Sequence, residues 1–166
     1  MKTVIRDVIL GDKDTIFQVN RDSLSGVSAF DDEYFATLMR ECALFRGVVV
    51  GQAIEGYVCA LSHQATYDGE EFAWFRDHLA DGFLYIDQIA IRRRSRGQGL
   101  GRALYQDMET YARENGLSAL ACEVNYEPFN AASQAFHRQF GFAEVVRMPI
   151  RGLVVSLLTK PLMLRT

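Results

Sequence analysis

The chain has 166 residues, 49% of them apolar and 23% charged, with a formal net charge of −3. That size and balance suit one soluble domain, residues 1–166, large enough for a real core. The mild negative charge excludes a general nucleic-acid binder, and no apolar run is long enough to span a membrane. Met1 to Asp7 lacks the apolar core of a signal peptide. Three cysteines, Cys42, Cys59 and Cys122, lie in apolar surroundings without metal-ligand spacing. An odd number of such thiols points to a reducing cytoplasm and to no metal site.

Thr3 to Leu10 alternates loosely and reads as a first strand, ended by Gly11. Asp12 or Asp14 can cap a helix carrying Ile16, Phe17, Val19 and Leu24. Ser25-Gly26-Val27-Ser28 breaks it, and Asp31 or Asp32 opens a second helix with Tyr34, Phe35, Leu38 and Met39 on one face. Leu44–Val50 and Ile54–His63 read as a hairpin. The connection over residues 64–81 is long and rich in aromatics, and it carries Glu70 and Glu71. Connections of that length are often functional. It can line a site and favour a cationic amine, pack as a lid helix, or form an interface patch.

Phe83 to Arg113 organises the rest. Phe83–Ile91 is apolar and β-branched, a buried strand. Arg92-Arg93-Arg94-Ser95-Arg96 follows, then Gly97-Gln98-Gly99-Leu100-Gly101, then a helix with Leu100, Ala103, Leu104, Met108 and Tyr111 on one face. A glycine-rich turn from strand into helix presents backbone N–H groups to anions. Five arginines between positions 92 and 102 add positive charge. The stretch reads as a pyrophosphate site. It is not a Walker A loop, because Arg102-Ala103 stands where Lys-Ser or Lys-Thr is needed. Nor is it a Rossmann fingerprint, because Gly97, Gly99 and Gly101 give G-x-G-x-G after a long polar turn. Asn115-Gly116 ends the helix, and Ser118–Asn125 is a strand parallel to Phe83–Ile91. Asn130 caps a helix from Ala131 to Phe140, stopped by Gly141. Phe142–Ile150 and Leu153–Leu158 close the chain around Arg151-Gly152.

Arg96-Gly97-Gln98-Gly99-Leu100-Gly101 fits R-x-x-G-x-G, and so resembles the acyl-CoA loop of the GNAT superfamily of N-acetyltransferases. Asn130-Ala131-Ala132-Ser133-Gln134-Ala135-Phe136-His137-Arg138-Gln139-Phe140-Gly141-Phe142 resembles its second signature, and the element order is similar along nearly the whole chain. Glu-Val-Asn at 123–125 and Ser133-x-x-Phe136-His137 resemble a smaller branch of predicted bacterial acetyltransferases. The resemblance implies an α/β fold with a mixed central sheet of six to seven strands and about four helices. It implies transfer of an acetyl group from acetyl-CoA to a primary amine, by direct attack. The acceptor is expected to be a small molecule, bound beside the early helices, and a homodimer is expected on the same ground.

The implied roles fall on specific positions. Backbone N–H groups from Gln98 to Arg102, with Arg96 and Gly97, hold the pyrophosphate. Ile89, Ala90 and Ile91 lie beside the acyl arm, and a backbone N–H there polarises the thioester carbonyl. Asn130 contacts the arm. His137 stands where the family commonly has a tyrosine that protonates the departing thiolate; alternatively it is a helix histidine bound to a nearby carbonyl. Asp87 and Glu123, carboxylates in apolar strands, are candidate general bases. Two other readings stay open: a non-catalytic acyl-CoA-binding module on the same fold, and a Rossmann-like nucleotide binder.

Overall fold

The computed structural model describes residues 1–163. Seven strands form one sheet: β1 (Thr3–Asp7), β2 (Leu44–Val50), β3 (Ala53–Ser62), β4 (Phe83–Ile91), β5 (Ala119–Glu127), β6 (Ala143–Ile150) and β7 (Leu153–Pro161). Their hydrogen-bonded order is β1-β2-β3-β4-β5-β7-β6. The helices are α1 (Lys13–Asp22), α2 (Asp32–Glu41), α3 (Glu70–His78), α4 (Leu100–Glu114) and α5 (Ala131–Gln139). The sheet is mixed: β4 and β5 are parallel, whereas β1 with β2, β2 with β3, and β7 with both β5 and β6 are antiparallel. The expected mixed α/β architecture is present. Five α-helices stand where about four were expected, because the difficult 64–81 connection folds into α3.

The first strand is shorter than the sequence suggests. It ends at Asp7, and Leu10–Asp12 form a 3-10 turn. Asp12 fixes that turn by accepting from the Ile9 N–H and pairing with Arg6 at 2.7 Å. Helix α1 ends at Asp22, so Leu24 stays outside it and is exposed.

Two compact units divide the chain. One comprises Met1–Leu61 with Asp87–Thr110; the other comprises Ser62–Ile86 with the described residues from Tyr111. In the first, α1 buries Ile16 and Val19, and α2 buries Phe35 and Leu38. These pack with Phe45, Ile54, Tyr57, Cys59 and Ala90. Phe30 bridges the cluster, with its ring 5.5 Å from Tyr57 and 5.3 Å from Tyr34. In the second unit, α3 lays Phe72 and Phe75 against Phe83 and Tyr85, at centroid distances of 5.6–6.1 Å. That aromatic face explains why the connection becomes a packed helix. The parallel register of β4 with β5 runs from Phe83↔Ala119 to Ile86↔Cys122.

Candidate active site

The glycine loop is built by a buried acid on a neighbouring strand. Glu55 of β3 is 6% exposed. It takes two guanidinium hydrogen bonds from Arg94 and one from the Ser95 hydroxyl at 2.7 Å. The Arg94 bonds, helped by Ser95, hold its carboxyl below the usual carboxylate range against the opposing effect of burial. Three of the five arginines therefore shape the loop. Arg94 grips Glu55; Arg92 donates to the Ile54 carbonyl at 3.3 Å and to Gln18 at 3.2 Å; Arg96 donates to the Ile91 carbonyl at 3.0 Å. Sequence reasoning missed Glu55. Its only signal was an acid in an otherwise apolar strand.

Beyond this clamp the backbone turns through Gly97 (φ +74°) and Gly99 (φ +80°). Both conformations are costly for a residue with a Cβ. A Cβ at either position would meet nothing within 4 Å, so the loop surface there is open. The ladder of α4 begins with the Ala103 N–H on the Gly99 carbonyl at 3.0 Å. Helix geometry gives the first-turn N–H groups ahead of it no acceptor within the helix. Open backbone, a helix N-terminus and a rigid cationic base fit a diphosphate. Beside the loop, Arg21, Asp22, Arg92, Arg93 and Arg94 line a groove of about 620 Å³.

The tail of β4 is set by close packing and by hydrogen bonds to its side chains. A Cβ on Gly56 would lie 2.4 Å from Ile91 Cδ1 and 2.8 Å from the Ala90 carbonyl oxygen, so glycine lets β3 approach. Asp87 accepts from the Tyr34 hydroxyl, and Gln88 Oε1 accepts from Tyr57 at 2.7 Å and from Asn20 at 3.2 Å. Tyr57 belongs to the core cluster against which Tyr34 packs. Gln88 also donates to the Ser28 carbonyl at 2.9 Å, which fastens this end of β4 to the segment between α1 and α2.

The second unit holds the remaining candidates. Glu123 Oε1 accepts from Arg151 at 2.6 Å, and Arg151 also reaches Glu71 at 3.2 Å. Glu71 is 3% exposed and lies 3.4 Å from the Tyr85 hydroxyl. So the charge of Glu71 is directed at Arg151 and Tyr85, while Glu70 is exposed. Asn130 caps α5 by accepting from the Ser133 N–H at 3.1 Å. His137 is buried, with Nδ1 2.7 Å from the Ser133 carbonyl, which makes Nδ1 the protonated nitrogen. Its ring meets Phe136 and Phe142 edge-on. Burial pulls its pKa below the ordinary histidine value, and the bond to Ser133 opposes that only in part. Among the described residues no group of three or more His, Cys, Asp or Glu gathers as a metal site, and no helix is long and apolar enough to cross a membrane.

Comparison with known proteins places this geometry. Two curated relatives, the L-methionine sulfoximine/L-methionine sulfone acetyltransferases of Pseudomonas paraeruginosa and Pseudomonas aeruginosa, are each 28% identical over 155 residues, covering 92% of this chain and 87% of the relative. The ribosomal-protein-S18-alanine N-acetyltransferase of Escherichia coli superposes with a TM-score of 0.76 at 16% identity, covering 99% of this chain and 97% of that one. An N-acetyltransferase from Staphylococcus aureus superposes with a TM-score of 0.73 at 15% identity, covering 98% and 100%. The model of the Acetyltransferase (GNAT) family matches residues 16–142, from α1 through the helix that carries His137. The chain is a member of the GNAT acetyltransferase family.

Proposed function

We propose that this acetyltransferase uses acetyl-CoA to acetylate the α-amine of a small amino-acid-like acceptor. The observation that carries the reading is the glycine loop, clamped by Glu55 and opening directly into α4. Its N–H groups from Gln98 to Arg102 suit the diphosphate, and the basic groove at Arg21 and Arg93 suits the ribose phosphate. Ile89, Ala90 and Ile91 line the path of the acyl arm. Asn130 keeps Oδ1 on the cap of α5, which leaves its amide N–H₂ as the donating group. When bound, the coenzyme supplies an activated acetyl thioester.

This chain's own part is to free the amine and place it. Asp87 is the base in this reading: half-buried and held by Tyr34. It takes one proton from the acceptor ammonium, the released lone pair attacks the thioester carbon, and the tetrahedral intermediate then expels the thiolate as the nitrogen gives its second proton to solvent. Glu123 is less suited, because Arg151 already engages its carboxylate. His137 is neutral near pH 7, with its Nδ1 proton on Ser133, and does not suit the role of acid. A thiol titrates near ~8.5, so solvent suffices to protonate the thiolate.

The names of the two Pseudomonas relatives support an acceptor with an α-amino acid head and a sulfone-like side chain. A cytoplasmic homodimer belongs to the same reading. Three free thiols accord with a reducing compartment, and strand β6 at the sheet edge leaves Val145 46% exposed. Acceptor profiling with acetyl-CoA and thiol detection tests the proposal. L-methionine sulfone should be acetylated faster than polyamines or lysine peptides, and Asp87→Asn should lower kcat by about a hundredfold or more. Turnover of polyamines or peptides alone would overturn the acceptor class. An unchanged kcat in Asp87→Asn would overturn the base.

A further inference from the structure

We infer that Tyr34 is a positioning residue for the reaction: its hydroxyl holds the Asp87 carboxylate ionised and aimed, so base strength at this site is set from helix α2. The inference rests on the reading of Asp87 as the base. It goes beyond that reading by assigning a role to a residue that no motif marks.

The construction runs from backbone to hydroxyl. The Asp31 side chain caps α2 by accepting the Tyr34 N–H at 2.7 Å, which fixes Tyr34 in the first turn. The Tyr34 ring packs edge-on against Phe30 at 5.3 Å, and Phe30 in turn stacks on Tyr57. Phe30 is itself held, since its N–H donates to Asn20 Oδ1 at 2.9 Å. Asn20 reaches on to Tyr57 at 3.0 Å and to Gln88 at 3.2 Å. The same network therefore fastens both partners. Asn20 and Tyr57 hold Gln88, the strand neighbour of Asp87, and Asp31 with Phe30 holds the phenol that meets it.

The titratable groups acting on Asp87 from neighbouring elements include Tyr34 on α2 and Tyr57 and Cys59 on β3. Burial pushes the Tyr57 phenol and the Cys59 thiol well up, and the charge of Asp87 pushes both further. Both groups stay protonated, so neither competes with Asp87 as the base. An apolar, protonated surround raises a carboxylate's pKa by desolvation, whereas a donated hydrogen bond to the charged form lowers it. Tyr34 supplies that hydrogen bond. Without it the carboxylate would be protonated at a higher pH and would accept the acceptor's proton only above that value.

Tyr34→Phe keeps the ring against Phe30 and removes the hydroxyl. The acid limb of kcat/KM should move to higher pH by about one unit, with kcat reduced and KM for acetyl-CoA unchanged. Infrared difference spectra, with Asp87→Asn as the blank, should show the Asp87 carboxyl band titrating higher in Tyr34→Phe than in wild type, whether or not the variant turns over. Loss of activity without movement of the limb or of the band would reduce Tyr34 to packing and overturn the inference. A full effect of Asp87→Asn with a wild-type profile in Tyr34→Phe would sink the inference while leaving Asp87 as the base. If Asp87→Asn had no effect, the underlying reading would fail first.

Discussion

His137 shows how one residue type at one place can be read two ways until its neighbours are known. The helix puts Ser133 one turn before it, and the Nδ1–H falls on that carbonyl at 2.7 Å. Phe136 and Phe142 cover the ring, and burial keeps it from charging. The folded value thus lies below the ~6.5 of an unfolded chain. Between the two values the unfolded chain binds more protons. The stability that neutral His137 contributes is therefore full above ~6.5 and is lost as pH falls toward the folded value. His137→Gln should flatten the pH dependence of Tm between about pH 7 and 5. Measured well below Tm, its kcat should stay within about threefold of wild type. A hundredfold fall in kcat at unchanged KM for acetyl-CoA would return His137 to the chemistry.

At the scale of elements, the junction of β4, the glycine loop and α4 was legible because its signals are local. β-branched residues, paired glycines and a helical apolar stripe are all properties of one stretch of chain. What fixes the junction is not local. Glu55 lies about 40 residues from Arg94 and Ser95 in sequence, and no spacing rule links them. Helix α3 was equally hidden. Its amphipathic pattern is weak, and it becomes a helix because Phe72 and Phe75 find Phe83 and Tyr85 across the fold. The loop's conformation carries its own prediction. Gly99→Ala forces a Cβ into φ +80°, at a cost of about 1–2 kcal/mol. A Cβ there also occupies the open surface offered to the diphosphate. KM for acetyl-CoA should rise about tenfold or more while kcat at saturation changes little. A variant with wild-type KM and a lowered kcat would place the diphosphate elsewhere.

For the molecule as a whole, binding and folding are linked. A ligand at about a hundred times its dissociation constant adds about 2.7 kcal/mol to stability. For a chain of this length that raises Tm by about 5–10 °C. Coenzyme A should produce such a shift in differential scanning and NAD should not; a shift with NAD alone would contradict the glycine-loop assignment. By itself the sequence determined the order of the strands and of every helix but α3, the parallel pair on either side of α4, and the anion-seeking loop. These follow from periodicity, capping residues and glycine, all read within a few residues of one another. Only the tertiary structure decided which charged and polar side chains meet. It paired Glu55 with Arg94, Glu123 with Arg151, His137 with its own helix, and Tyr34 with Asp87. The physical reason is that hydrogen bonds and ion pairs depend on ångström distances between side chains far apart in sequence. Those distances are set by sheet register and by how the helices pack on it, which no local pattern announces.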